Sequence, residues 1–458
     1  MVEKIHHVGR GQVMSLSLIG FLIILVIVAL LISGKVTPIV AMVLPPIIGA
    51  LIAGFAFSEI GVFFEEGIGS VISIAIMFIF AIIFFGIMQD VGLFDPMINK
   101  MVALTKGNVV TVCIVTVFIA AVAQLDGSGA STFLITIPAL LPLYNRLKMN
   151  PYLLLLLIAG SAGMINMLPW AGPLGRTASV LGMDVTELWQ PLIPVQIIGL
   201  VIMFLLAIFL GIREKRRIER MYGSLEVAAA VELTFDEDEE SDTELNAKKN
   251  SINRPKLLWI NAIIALAVIG VLMTGIIPAG LAFMIGVSIV LPINFPNVKD
   301  QMGRIREHAP NALTMATIIL AAGLFLGILD GTGMLTAIAN DIVGVLPGNI
   351  APYLHLIVGF LGVPFDLLLS TDAYYFALLP VVDQIATGFG VDSLSTAYAM
   401  IIGNIVGKFV SPLAPAVWLA LGLSGLEMGR HIRYSLFWLW GISLVLIGIA
   451  VLIGIIGV

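Results

Sequence analysis

Charge is what this sequence has least of. Lys, Arg, Asp and Glu make up 11% of its 458 residues, against about 25% in a soluble domain. Too few polar side chains exist to cover a water-facing surface, so a soluble globule is excluded. Disorder is excluded too, because 59% of the residues are hydrophobic and disordered chains are poor in them. Cysteine is nearly absent. Cys113 stands alone, so no intrachain disulfide can form, and its apolar surroundings read as packing. His6 and His7 are adjacent, not at metal-ligand spacing, and no structural metal site is expected. The chain has no P-loop to drive transport with ATP. Neither H-E-x-x-H nor G-x-S-x-G occurs, which leaves enzyme chemistry no handle. Nothing points to a nucleic-acid partner.

Long apolar runs are what the chain has instead, and its mean hydropathy is +1.09. About twenty apolar residues cross a bilayer as a helix. Spans are expected at 14–33, 37–57, 69–90, 152–183, 191–212, 257–275, 277–294, 311–330, 394–424 and 434–457. Met14 to Ser33 exceeds a signal-peptide core and reads as a retained helix. Two stretches, 108–143 and 349–384, are too long for one crossing and lack a charged loop that would make two. Each fits a helical hairpin that enters and leaves on one side. Its irregular tip is tolerated only inside protein or beside a wet cavity.

Basic residues test this count. Of the 23 lysines and arginines, all but four fall on one side of the membrane. Lys4 and Arg10 lie on the other, and Arg176 and Lys408 lie within spans. By the positive-inside rule the rich side is cytoplasmic, so both termini are expected outside the inner (cytoplasmic) membrane. The chain then divides into a tail (1–13), a first repeat (14–212), a charged cytoplasmic linker (213–256) and a second repeat (257–458). The linker begins basic and turns acidic from Glu232 to Glu244, which reads as a solvated connector.

The two halves echo each other. Phe85-Gly86-Ile87-Met88, Gly92, Asn99 and Gly107-Asn108 return at one constant spacing as Leu326-Gly327-Ile328-Leu329, Gly333, Asn340 and Gly348-Asn349. Both hairpins end in Ala-Leu-Leu-Pro, at 139–142 and 377–380. Five crossings and one hairpin per repeat is an odd number of crossings, so the second copy is inserted upside down. The fold expected is all-α and polytopic: two inverted repeats of five transmembrane spans plus one re-entrant hairpin each, with broken helices at the midplane. That is the sequence pattern of a secondary transporter.

Chemistry concentrates at the breaks. Hairpin one carries Asp126, Gly127, Ser128, Ser131 and Thr132; hairpin two carries Asp366, Ser370, Thr371 and Asp372. A carboxylate inside a bilayer is costly and usually functional. Hydroxyls at a helix start leave N–H groups for an anion or simply cap the helix. The broken spans add Asn166, Gly172 and Arg176 in one half, and Asn404, Lys408 and Ser411 in the other. Arg176 could clamp a carboxylate or pair with Asp126 or Asp372; Lys408 could snorkel or pair with a hairpin aspartate. Substrate is thus expected at Ser128, Ser131, Thr132, Asn166, Gly172, Arg176, Ser370, Thr371, Asn404 and Ser411. Cation or proton is expected at Asp126, Asp366, Asp372 and Lys408.

At these residues the chain resembles the bacterial citrate–metal:proton symporters of the ion transporter superfamily. The resemblance runs from Val43-Leu44-Pro45-Pro46 through Gly92-Leu93-Phe94-Asp95-Pro96, Leu125-Asp126-Gly127 and Asn166-Met167-Leu168-Pro169-Trp170 to Asp372-Ala373-Tyr374-Tyr375 and Ser411-Pro412-Leu413. It implies a homodimer in which a transport domain moves, elevator-fashion, against a scaffold. It implies a site made of hairpin tips and broken helices, no cofactor, and a divalent metal travelling with citrate as co-substrate. The family pattern has an acidic residue where Ser128 stands and Asn where Thr371 stands. Divalent metals favour carboxylate oxygens, so a free di- or tricarboxylate stays open. A cation–proton antiporter without organic substrate is the alternative.

Overall fold

The structure is a computed structural model that describes residues 10–33, 35–105, 107–222, 254–345 and 350–457. The tail with His6 and His7, most of the linker including its acidic run, and Gly348-Asn349 lie outside the described residues. Among those described there is helix and no strand.

The element order runs twice. The first half has α1 (Arg10–Ser33), α2 (Pro38–Ile52), α3 (Phe57–Asp90) and the short α4 (Asp95–Ala103). Two arms follow, α5 (Val109–Ala123) and α6 (Gly129–Arg146), then a broken span of α7 (Pro151–Ile165) and α8 (Gly172–Leu181). A five-residue turn, α9 (Val185–Trp189), leads to α10 (Ile193–Tyr222). The second half answers with α11 (Leu258–Thr274), α12 (Ala279–Asn294), α13 (Val298–Gly331) and α14 (Met334–Val345). Its arms are α15 (Leu354–Phe360) with α16 (Gly362–Phe365), and a π-helical turn (Ala373–Leu378) running into α17 (Leu379–Gly388). The broken span is α18 (Ser393–Asn404) and α19 (Pro415–Ser424), and α20 (Met428–Leu452) closes the chain. Among the described residues, six helices are long and apolar enough to cross a membrane by length and composition. Their outward faces are apolar: Leu205 is 60% exposed and Leu266 68%.

Three helices outrun their expected spans for one reason: charge ends an apolar run before it ends a helix. Residues 57–68 extend α3 backwards, and the Glu59 carboxylate accepts the Ala56 N–H at 2.8 Å, which caps the start. Likewise α13 begins at Val298 rather than near 311, and α10 continues through the basic cluster to Tyr222.

Helices α3 and α13, corresponding elements of the two halves, make the most extensive contact in the molecule. Glycine makes their close approach possible. A Cβ on Gly67 would strike the Gly323 carbonyl oxygen, and one on Gly327 would strike the Phe63 carbonyl oxygen. Gly323 and Gly327 stand one turn apart, the small-residue spacing that lets membrane helices touch backbone to backbone. Replacing Gly67 by Ala is therefore expected to cost about 1–3 kcal/mol of overpacking, read as a lower unfolding temperature in detergent. An unchanged temperature would mean the helices can part without loss. At the C-terminal end of α3, Asp90 accepts from Arg304 at 3.2 Å and meets the His308 ring at 2.8 Å. Asp90 thus sits in a cross-half ion cluster.

Cross-packing continues elsewhere. Helix α6 of hairpin one lies on α19, and α8 lies on the π-helical turn of hairpin two. Each hairpin therefore rests against the broken span of the opposite half.

Candidate functional site

Proline breaks the first span. Pro169 has no N–H to continue the ladder, so α7 ends at Ile165 and α8 starts at Gly172. The gap is held by hairpin one: the Trp170 indole N–H donates to the Leu125 carbonyl at 2.7 Å. Gly127 turns the hairpin with φ of 76°, a left-handed conformation that favours glycine. A Cβ there would come within 3.0 Å of the Trp170 carbonyl oxygen.

Hairpin one bonds within itself and to the broken span of its own half. Asp126 accepts the Ser128 N–H at 2.8 Å and the Ser131 hydroxyl. Ser128 caps α6 by accepting the Ser131 N–H. Thr132 donates to the Gln124 side-chain oxygen at 2.6 Å, and Gln124 reaches Asn166 at 3.5 Å. That chain ties hairpin one to the broken span of its own half and leaves the buried Asn166 Nδ2 without a partner among the described residues. Gln124, the buried link in it, carries no charge and sits at the end of an apolar run. Only its place beside the tip could have marked it.

Hairpin two builds a tighter nest. The Asn404 amide donates to Asp366 Oδ2 at 2.7 Å and to the Gly362 carbonyl at 3.2 Å. Ser411 donates to the Asp366 carbonyl oxygen. A Cβ on Gly407 would collide with the Asp366 carboxylate, so the second break is shaped around this acid. Asp366 is fully buried, and its Oδ1 has no hydrogen-bond partner among the described residues. Ser370 caps the following turn by accepting the Ala373 N–H at 3.2 Å. Thr371 stands next to Asp372 at the same tip.

One bond joins the halves at this level. Arg176 Nε on α8 donates to Asp372 Oδ1 on hairpin two at 2.7 Å, with side-chain exposures of 7% and 13%. Of the two partners open to Arg176, the structure selects Asp372; the bonds of Asp126 stay within its own hairpin. Only one guanidinium donor faces Asp372 at bonding distance, and the buried Nη1 has no partner among the described residues. A Cβ at Gly172 would displace that nitrogen, so glycine keeps the guanidinium in place. The Phe376 ring lies 5.9 Å from Arg176 Cζ, within cation–π range. Lys408 lies close enough to act electrostatically on Arg176, Asp372 and Asp366, and His308 on Asp126. Of these, Arg176 and Asp366 are buried, and Asp372 and Lys408 are half-buried.

A separate cavity of about 370 Å³ lies at the end of α8. Its wall includes Glu66, Ser70, Ser179, Asp330, Asp383 and Ser393, and Ser179 lies one turn of α8 from Arg176. Among the described residues, no group of three or more His, Cys, Asp or Glu side chains is placed to hold a metal ion.

Known proteins resemble this chain in sequence and fold. A model of the citrate transporter family matches residues 13–403. The chain is 35% identical over 441 residues to a citrate transporter of Bacillus subtilis, covering 96% of this chain and 99% of that one. It is 37% identical over 448 residues to a Mg2+/citrate complex secondary transporter of the same organism, covering 97% and 99%. Among solved structures, the Alcanivorax borkumensis YdaH transporter, described as having an unusual topology, superposes with a TM-score of 0.56 at 15% identity, over 85% of this chain and 88% of that one. That likeness concerns the fold alone. Broken helices, hairpins and the family match agree: this chain belongs to the citrate transporter family, a family of multi-pass membrane transporters rather than enzymes.

Proposed function

We propose that this chain carries citrate or a related di- or tricarboxylate inward by proton-coupled secondary transport. The carrying observation is the largely buried Arg176–Asp372 pair across the two halves, with one guanidinium nitrogen that has no partner among the described residues beside Gly172. A guanidinium fork suits a carboxylate, and Asp372 holds Arg176 in place until the cargo competes for it. Asn166, Gly172, Thr371, Asn404 and the hairpin hydroxyls Ser128, Ser131, Thr132, Ser370 and Ser411 line the route. Asp126, Asp366, Asp372 and Lys408 exchange protons or balance the cargo's charge.

The name of the Mg2+/citrate relative supports a divalent ion as co-substrate. Asp126, Asp366 and Asp372 are single carboxylates at separate places in the tips, so the ion would take most of its oxygens from citrate and water. The hairpins and broken spans would move together against α3 and α13, in a homodimer, with the two halves inverted and both termini outside the cytoplasmic membrane. The mutual packing of hairpins on opposite broken spans supports a unit that moves as one.

Uptake of labelled citrate into proteoliposomes under an inward proton gradient tests this, run without divalent metal, with Mg2+ and with Ca2+. Accumulation only with metal is expected if the complex is the cargo. Accumulation without metal points to the free acid. No accumulation of citrate or other carboxylates by folded protein overturns the proposal.

A further inference from the structure

The basic end of α10 carries a second site. Arg213, Arg216, Arg217 and Arg220 fall at i, i+3, i+4 and i+7, which is one face of a helix. They line a cavity of about 790 Å³ with Phe209, Ile212 and Tyr434. One of the four is committed. Arg217 grips both oxygens of the buried Glu214, at 2.9 and 2.6 Å, and donates to the Lys148 carbonyl at 2.8 Å. Glu214 also accepts the Asn150 N–H at 2.6 Å. This brace locks α10 to the turn between α6 and α7 and makes the cavity wall rigid.

The other three are not matched. Arg213, Arg216 and Arg220 are exposed, and among the described residues no acidic side chain pairs with them. Their face continues along α10 as an apolar stripe: Ile197, Val201, Leu205, Phe209 and Ile212 are 57%, 52%, 60%, 56% and 40% exposed. A fixed cluster of positive charge therefore ends a lipid-like face, which is the arrangement that suits an anionic headgroup with its chains. A second copy on this face about a two-fold axis would bring like charges together. No hairpin residue lines the cavity, so it is distinct from the Arg176 cluster.

We propose that this cavity binds the phosphodiester headgroup of an anionic phospholipid, whose acyl chains lie along the exposed stripe of α10. Native mass spectrometry of the purified full chain, titrated with phosphatidylglycerol or phosphatidylcholine, tests it. The wild type is expected to retain phosphatidylglycerol preferentially. The triple variant R213Q/R216Q/R220Q should bind it roughly 100-fold more weakly, a factor of about 5 per arginine. Lys215→Gln, at a neighbouring exposed position that does not line the cavity, should bind as wild type. Because Glu214 and Arg217 are untouched, the unfolding temperature of the triple variant should match the wild type in lipid-free detergent. Equal retention of both lipids, or wild-type affinity in the triple variant, would overturn the proposal. Displacement of phosphatidylglycerol by excess inorganic phosphate would do so too, since it would mark a site for the free anion. Cross-linking between copies through Ile212→Cys on a Cys113→Ser background would place a second chain there instead and equally overturn it.

Discussion

Arg176→Ala is expected to abolish citrate uptake, with a loss of at least about 100-fold, while the protein still folds. Two effects combine in that change. Removing one partner of a buried ion pair leaves the other uncompensated, at a cost of roughly 3–5 kcal/mol. Losing a guanidinium contact to a carboxylate removes charge-assisted hydrogen bonds, each about twice as strong as a neutral one. The first effect lowers stability; the second lowers transport alone. They separate in the double variant Arg176→Gln with Asp372→Asn. Both charges go, an amide–amide contact replaces the 2.7 Å ion pair, and stability should recover. Uptake should not, because an amide cannot hold a carboxylate as a guanidinium does. Unfolding temperature and initial uptake rate, measured on the two single variants and the double, decide the matter. Recovery of uptake in the double variant would make the pair a strut and remove Arg176 from the binding site. Arg176→Lys should fail as well: it restores charge without the planar fork.

Asp366→Asn is expected to uncouple the carrier. The carboxylate sits between hairpin two and the second break, with Asn404 on one oxygen and no partner among the described residues on the other. Asparagine has nearly the same shape. Its side-chain oxygen can accept from Asn404, and its amide group stands where Oδ1 stood, so the nest around Gly407 and Ser411 persists. What is lost is a group that can take up and release a proton. A gradient of one pH unit carries about 1.36 kcal/mol per proton, enough for about tenfold accumulation through a one-proton step. In the variant the inside-to-outside ratio should fall to one, while exchange of labelled for unlabelled citrate continues. Proton-driven accumulation by Asp366→Asn at the wild-type level would move coupling to another group, Asp126 being the next acid at a hairpin tip. Loss of exchange as well as accumulation would mean that Asp366 holds the site's shape instead.

These expectations concern residues that the sequence singles out, but the two aspartates differ in a way the sequence does not reveal. Asp126 and Asp366 look alike there: each is the first acid at the interruption of an apolar stretch. In the folded chain Asp126 closes a local turn onto Ser128 and Ser131, contacts two and five residues away. Asp366 is instead enclosed by residues of another element, Asn404 and Ser411. Arg176 shows the same limit. Charge inside a span announces that a partner must exist, but Asp372 is 196 residues distant, and either tip could have supplied it. Asp90 is a third case. It ends α3, and Arg304 and His308 come to it from the start of α13, a segment too charged to read as part of a span.

Water and lipid explain what the sequence determines by itself. Backbone groups in a bilayer must bond within their own segment, so long apolar runs become helices whatever surrounds them. Proline and glycine interrupt helices through their own covalent structure, which is why the breaks at Pro169 and Gly127 can be read locally. The family follows from the order of those motifs along the chain. Tertiary structure decided which halves touch and through which atoms. It set the glycine-to-backbone contact of α3 and α13, the choice of Asp372 over Asp126 for Arg176, and the brace that turns a basic helix end into a cavity. Each depends on distance between segments remote in the chain, and no periodicity or composition encodes that distance.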